Sequence, residues 1–340
     1  MGINYVIDNS LDNYEEYITK NKNTLFYHSK KYINFISEIL NCEKKIMLAK
    51  DSNNKIIGTL PLLFMNGKYG HVYNSLPYFG SNGGIISDSK EATFLLINEF
   101  NKLSKLEDTA STTIIENPLS NIKYNGLNSN LYDERIGQFT MLPKKYESEE
   151  DLLNLLHGKT RNTIRKSNKS EIEFCIDNNA LNFIKNIHNE NMLRIGGLSK
   201  SNDFFDKIPE RFQPNLDYKI YIAKYNNQKV AGLLLFYHKK IVEYFTPVIK
   251  SEFREKQPLS GLIFRAMLDA IKMDFKIWNW GGTWFSQEGV FKFKNRWGTS
   301  NMNYKYMTYL NNKNILNISK EELLEEYKNF YVCPFNKLKK

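Results

Sequence analysis

The chain has 340 residues, 41% hydrophobic, 25% charged and 14% aromatic, enough apolar material for a packed core and too much aromatic for disorder. That length is about twice the commonest domain size of roughly 100–150 residues and points to two domains. A formal charge of +10 favours anionic partners, and three widely spaced cysteines, Cys42, Cys175 and Cys333, support neither a disulfide framework nor a cysteine zinc site.

The first residues lack the basic and apolar run of a signal peptide, and no apolar stretch reaches the roughly 20 residues that span a bilayer, so a soluble, cytoplasmic protein is expected. Residues 45–60 carry two apolar runs about an Asn-rich turn, the pattern of a β-hairpin. A strand ending at Pro77, a helix over 91–106 and a buried strand over 112–116 follow. Long helices are expected over 149–167 and 181–193. Residues 219–234 then align without gaps to 45–60, with eight of sixteen positions identical, among them Ala49/Ala223, Asn53/Asn227 and Gly58/Gly232. From there the order repeats: a strand ending at Pro247, a helix over 260–273 and a buried strand over 276–280. Proline cannot donate to a ladder, so both proline-ended strands are expected to break or bulge. The expected architecture is mixed α/β, a tandem pair of small domains at 1–147 and 148–340, packed as a pseudo-dimer.

The five histidines form no HExxH or i, i+4 pair, and neither GxSxG nor a P-loop occurs, so no metal site or triad is expected. The densest basic cluster lies over 159–169. On a helix its Arg161, Arg165 and Lys169 stack at i, i+4 spacing, at a cost of about 0.2–0.5 kcal/mol per like-charge pair. A phosphate-bearing ligand or a solvated helix C-terminus would each account for it. All four tryptophans fall within 278–297. Trp278 and Trp280 share one strand face, and Gly281 and Gly282 let the backbone turn or approach a ligand closely. As a strand, 290–298 would set Phe291 and Phe293 opposite Lys292 and Lys294; as a helix it would put Val290, Phe293 and Trp297 on one face. The glycine turn with aromatic and basic residues around it reads as a ligand pocket.

Four segments carry a family resemblance: Lys159-x-Arg161-Asn162-x-Ile164-Arg165-Lys166, Asn191-Met192-Leu193-Arg194, Trp280-Gly281-Gly282, and Phe293-Lys294-x-x-Trp297-Gly298. With Phe79-Gly-Ser-Asn-Gly-Gly-Ile85, they resemble the FemAB family of peptidoglycan bridge aminoacyltransferases and its relatives in polysaccharide gene clusters. The resemblance implies two tandem GNAT-like acyltransferase domains, in agreement with the repeat, and transfer of an acyl or aminoacyl group to an amine. It implies that Lys294 steadies charge developing on the donor and that Arg194 contacts the acceptor's phosphate-bearing moiety. Two features depart from the family pattern. Residues 32–36 lack the lysine that follows an early tryptophan in bridge-forming members. The GNAT pyrophosphate loop is replaced by residues 254–261, with only a late glycine, Gly261, although amides at that helix start could hold a phosphate.

The expected reaction is direct attack of an amine on a thioester or ester carbonyl in the C-terminal domain. Substrates would be positioned across a splayed strand near Thr246 and Pro247, with Arg161 and Arg165 as phosphate-binding candidates. Glu243 and Glu288 are the candidate proton acceptors. Acyl-CoA is the favoured donor and aminoacyl-tRNA the alternative. The expected acceptor is an amino sugar on a nucleotide or lipid carrier for cell-surface glycan, with peripheral association with the inner membrane face; a muropeptide acceptor is the alternative. A non-catalytic protein that binds RNA or a nucleotide sugar is the rival from another class. No DNA partner is expected.

Overall fold

The computed structural model describes residues 2–22, 24–78, 82–144 and 149–339. The expected boundary at 147/148 and the motif residues Phe79, Gly80 and Ser81 lie outside them. The chain divides into two compact units, residues 1–135 with 302–340, and residues 136–301.

The first unit runs β1 (Asn4–Ile7), α1 (Asp12–Lys20), α2 (Lys30–Leu40), β2 (Glu43–Lys50), β3 (Ile56–Gly67), β4 (Gly70–Asn74), β5 (Ile86–Ser87), α3 (Lys90–Leu103) and β6 (Thr109–Ile115). Strand β7 (Leu131–Met141) then carries the chain into the second unit. There follow α4 (Glu149–Leu155), α5 (Gly158–Asn168), β8 (Glu173–Ile176), α6 (Leu181–Ile195), α7 (Asn202–Asp206), α8 (Ile208–Arg211), β9 (Tyr218–Tyr225), β10 (Gln228–His238) and β11 (Ile241–Ile249). Then come α9 (Pro258–Lys272), β12 (Ile277–Trp284) and α10 (Glu288–Asn295). Strand β13 (Thr299–Leu310) leads back to the first unit, which α11 (Lys320–Glu326) completes.

Both units order their strands alike, β1-β2-β3-β4-β6-β13 in the first and β8-β9-β10-β11-β12-β7 in the second. In each, a hairpin and a third strand pair antiparallel, and a helix, α3 or α9, then crosses over to a parallel neighbour. The sixth strand of each is supplied by the chain that follows the other's fifth. That exchange gives residues 302–340 to the first unit, whereas the expected division placed them in the second half.

The repeat is real in its order and shifted in its register. The second hairpin turns on Asn226 and Asn227, both with positive φ, the backbone of a two-residue turn. The first needs a longer loop, in which the Asp51 carboxylate accepts from the amides of Asn53 and Lys55 at 2.9 Å each. Met47 therefore faces Leu60, while Tyr221 faces Leu233, so the second strands correspond one residue away from the gapless alignment. Gly58 and Gly232, identical in that alignment, end on opposite faces. A Cβ at Gly58 would meet Ala92 and Leu96 of α3, and one at Gly232 would meet Ile184 of α6.

The expected helix over 149–167 is two helices. His157 is extended and caps α5 with its own ring, Nδ1 accepting from the Lys159 amide at 3.1 Å. Of the two proline-ended strands, β4 stops before Pro77, and β11 passes Pro247 with a bulge between Tyr244 and Thr246. Strand β12 does not end at Trp280 but continues through Gly281 and Gly282 to Trp284. The core of the second unit packs α5 and α9 onto the face that holds Leu233, Leu235, Val242, Trp278, Trp280 and Trp297. Among the described residues no helix is long and apolar enough to cross a membrane.

Candidate functional site

Strands β11 and β12 pair only across Ile241–Glu243 and Ile277–Asn279, although β11 runs on to Ile249 and β12 to Trp284. Beyond that level the β11 bulge at Phe245 and the left-handed Gly281, φ +73°, draw the strands apart. A side chain at Gly281 would find open space, so it is the backbone angle that requires glycine.

Alternation sorts the residues at this parting onto two faces. Trp278 and Trp280 turn into the α9 core. Trp280 is fully buried and its Nε1–H donates to Thr140 Oγ1 at 2.9 Å, so it supports the site from behind and offers no surface to a ligand. Glu243 and Asn279 take the opposite face, both buried; past the left-handed Gly281 the alternation is broken, and the buried Thr283 bonds Gln138, two residues from the Thr140 that bonds Trp280. Asn279 Nδ2 donates to Glu243 Oε2 at 2.8 Å, and its Oδ1 accepts from the Gly281 amide at 2.8 Å.

Lys294 reaches the same strand from α10, so the 290–298 segment is helical to Asn295 and a turn beyond it. Its Nζ donates to Gly282 O at 3.1 Å and to Thr283 Oγ1 at 2.9 Å. The Thr283 hydroxyl passes its own proton on to Gln138 Oε1 at 2.9 Å. Burial pushes the Lys294 ammonium down to about 8. An ammonium has three N–H donors, and these two bonds leave one for a ligand. Thr246, beside the bulge, is buried with no hydrogen-bond partner for its hydroxyl among the described residues. Glu243 and Thr246 on β11 and Gly281 and Gly282 on β12 thus border one strand opening, and Lys294 meets its β12 side at Gly282 and Thr283.

The remaining candidates lie apart from this network. Glu288 is exposed at the start of α10, its carboxylate held below the usual range by an i, i+4 pair with Lys292 at 2.7 Å. Arg194 ends α6, exposed, and donates to Asn191 Oδ1 at 2.9 Å. Arg161 and Arg165 line a groove of about 560 Å³ together with Glu149 and Glu150. Their helix packs on the α9 side of the sheet, away from the face of Glu243. The late glycine of residues 254–261 has a packing role, because a Cβ at Gly261 would lie 2.4 Å from Ser167 Oγ and 2.5 Å from the Phe174 ring.

Sequence reasoning missed Asn279, Thr283, Gln138 and Lys200. A signal for Asn279 was present, a polar residue set between two tryptophans of a buried strand, which burial statistics disfavour unless it is bonded. Lys200 had none. Its Nζ lies 5.2 Å from the ring of Phe245, the bulge residue, and burial lowers it to about 8. Its amide donates to Nε2 of His188, which burial holds down at about 4.

No family model matches the chain, and no curated protein matches it in sequence. Solved structures do. The chain is similar to FemX over 96% of its own length and 99% of that chain, with a TM-score of 0.69 at 14% identity. It is similar to the C-terminal domain of a putative lysylphosphatidylglycerol synthetase from Agrobacterium fabrum over 81% and 86% of the two chains, with a TM-score of 0.51 at 10% identity. A tandem GNAT protein from the clavulanic acid biosynthesis pathway matches over 90% and 97%, with a TM-score of 0.50 at 8% identity. The fold is therefore a FemX-like tandem GNAT fold, as the resemblance implied.

Proposed function

We propose that the protein is an acyltransferase that moves an acyl or aminoacyl group from a thioester or ester donor to an amine, with its chemistry at the β11–β12 opening. The desolvated Lys294, held against Gly282 and Thr283 where the strands part, carries this reading. The amine nitrogen attacks the donor carbonyl, the carbonyl π electrons move to oxygen, and the new oxyanion takes the third Lys294 N–H. A preorganised donor of this kind contributes about 3–4 kcal/mol to the transition state in water-excluded sites. Collapse expels the thiolate or alkoxide and leaves an amide. Glu243 is the acceptor for the proton the amine sheds, and the hydrogen bond from Asn279 holds its carboxylate in place. No covalent enzyme intermediate is required.

The proposed acceptor is the amine of an amino sugar on a nucleotide or lipid carrier for cell-surface glycan, with acyl-CoA as donor. The likeness to FemX over nearly the whole of both chains supports a second donor class, aminoacyl-tRNA, and with it a peptidoglycan-precursor acceptor. The deciding experiment offers panels of acyl-CoA and aminoacyl-tRNA to the full chain with amino-sugar nucleotides and reads products by mass. Transfer that survives ribonuclease assigns the CoA route, and transfer that ribonuclease abolishes assigns the tRNA route. A Lys294→Ala variant that works at the wild-type rate would sink the mechanism.

A further inference from the structure

Two groups of large apolar side chains in the second unit are left in solvent. One is the tip of α6 and the turn after it, with Leu193 85%, Ile195 67% and Leu198 61% exposed. These residues point in different directions around a helix end capped by the left-handed Gly196, so they form a protruding tip rather than a stripe waiting for a partner helix. The other follows the end of β12, with Trp284 47% and Phe285 54% exposed. Because β11 and β12 are parallel, Ile249 and Trp284 lie at the same end of the sheet. Asn191 Nδ2 donates to Ile249 O at 3.3 Å, which brings the α6 tip to that end as well. Both tips therefore stand at the end where the strands part.

Charge selects what covers them. Within 192–198 the one charged residue is Arg194, and the carboxylate nearest the second tip in sequence, Glu288, is neutralised by Lys292. The whole chain carries +10. Two apolar tips, one bearing Arg194 and the other free of net negative charge, on a basic protein suit a surface that is anionic outside and apolar beneath. We infer that the α6 tip and the Trp284–Phe285 tip dock the protein on the surface of an anionic lipid bilayer, with the β11–β12 opening turned toward it. The inference goes beyond the proposed reaction, because docking is measured with no donor or acceptor present.

The test is flotation of the full chain with vesicles of phosphatidylcholine alone or mixed equally with phosphatidylglycerol. The protein should float with the anionic vesicles and stay down with the neutral ones. A Leu193→Ser/Ile195→Ser/Leu198→Ser variant and a Trp284→Ser/Phe285→Ser variant should each lose about tenfold or more in bound fraction, with unfolding transitions like the wild type's. Trp284 is the exposed one of the four tryptophans, so wild-type fluorescence should shift to the blue on anionic vesicles and that shift should vanish in Trp284→Phe. A wild-type chain that does not float, or variants that float as well as it does, would overturn the inference. So would a mass that doubles with concentration in the wild type and not in the triple variant, which would assign the tips to a second copy. Leu198→Ser alone, in the turn outside the helix, gives the same reading if the triple variant fails to fold.

Discussion

At corresponding positions the two units hold different groups. In the first, Asn74 stands between Leu63 and Thr113; in the second, Glu243 stands between Phe236 and Asn279. Asn74 is sealed by the unit's own chain, since its Oδ1 accepts from the Tyr331 amide at 2.7 Å and its Nδ2 donates to Tyr331 O at 2.8 Å. Ser111 Oγ fastens the same segment by donating to Val332 O at 2.6 Å. The strands also stay together there, because the Ser75 amide donates to Thr113 O at 2.9 Å and Ser75 Oγ accepts from the Ile115 amide at 2.8 Å. In the second unit the strands part after Glu243, and α10 brings Lys294 to the gap. No described helix lies between β6 and β7 to do the same in the first. One fold thus yields a closed copy and an open one, and the difference lies in which polar groups are satisfied from within.

That contrast can be broken from either side. Lys294→Ala should lower kcat/KM by about 10²–10³-fold in steady-state assays, a loss of about 3–4 kcal/mol, while the unfolding midpoint stays or rises. The midpoint is expected to hold because a buried ammonium costs stability. Glu243→Gln keeps the shape and the Asn279 contact, and should cost about 10²-fold in kcat with little change in KM. In the closed copy the effect should fall on stability. Asn74→Leu strands the Tyr331 amide and carbonyl and should cost about 2–4 kcal/mol in urea unfolding, with unchanged kcat per folded molecule.

The pH profile sharpens the comparison further. Burial lowers Lys294 from 10.5 to about 8, so the ammonium is lost as pH rises through that value, and the rate should fall about tenfold per unit beyond it. In stability the sign is opposite. The cost of the buried ammonium is fully present below about 8 and is relieved as pH rises from there toward the unfolded value. The smallest effect should come from Thr283→Val, which removes an acceptor that favours the charged form. It should shift the falling limb to lower pH and slow the reaction about fivefold, in keeping with roughly 1 kcal/mol per hydrogen bond.

Much of this was readable in the chain. The hairpins and the crossover helices α3 and α9 follow from apolar periodicity, which is local, whereas the same periodicity left 290–298 open between strand and helix until the structure made 288–295 a helix. Lys294 was singled out by the family resemblance of its segment, and Glu243 by its place on the strand that leads to the expected break near Pro247. The basic run over 159–169 shares its groove with Glu149 and Glu150 of the preceding helix, a neighbourhood that its spacing does not reveal. Local spacing cannot show which neighbour a turn will bring alongside.

By itself the sequence determined the duplication, the element order and the concentration of aromatic and basic chemistry near residue 290, since each rests on periodicities of a few residues. Only the tertiary structure decided that the sixth strands are exchanged, that Gly58 and Gly232 face opposite ways, and that Asn279 joins Glu243 to the glycine bend. Those outcomes depend on strand pairing between segments distant in sequence, where a one-residue difference in a turn moves every later side chain to the other face.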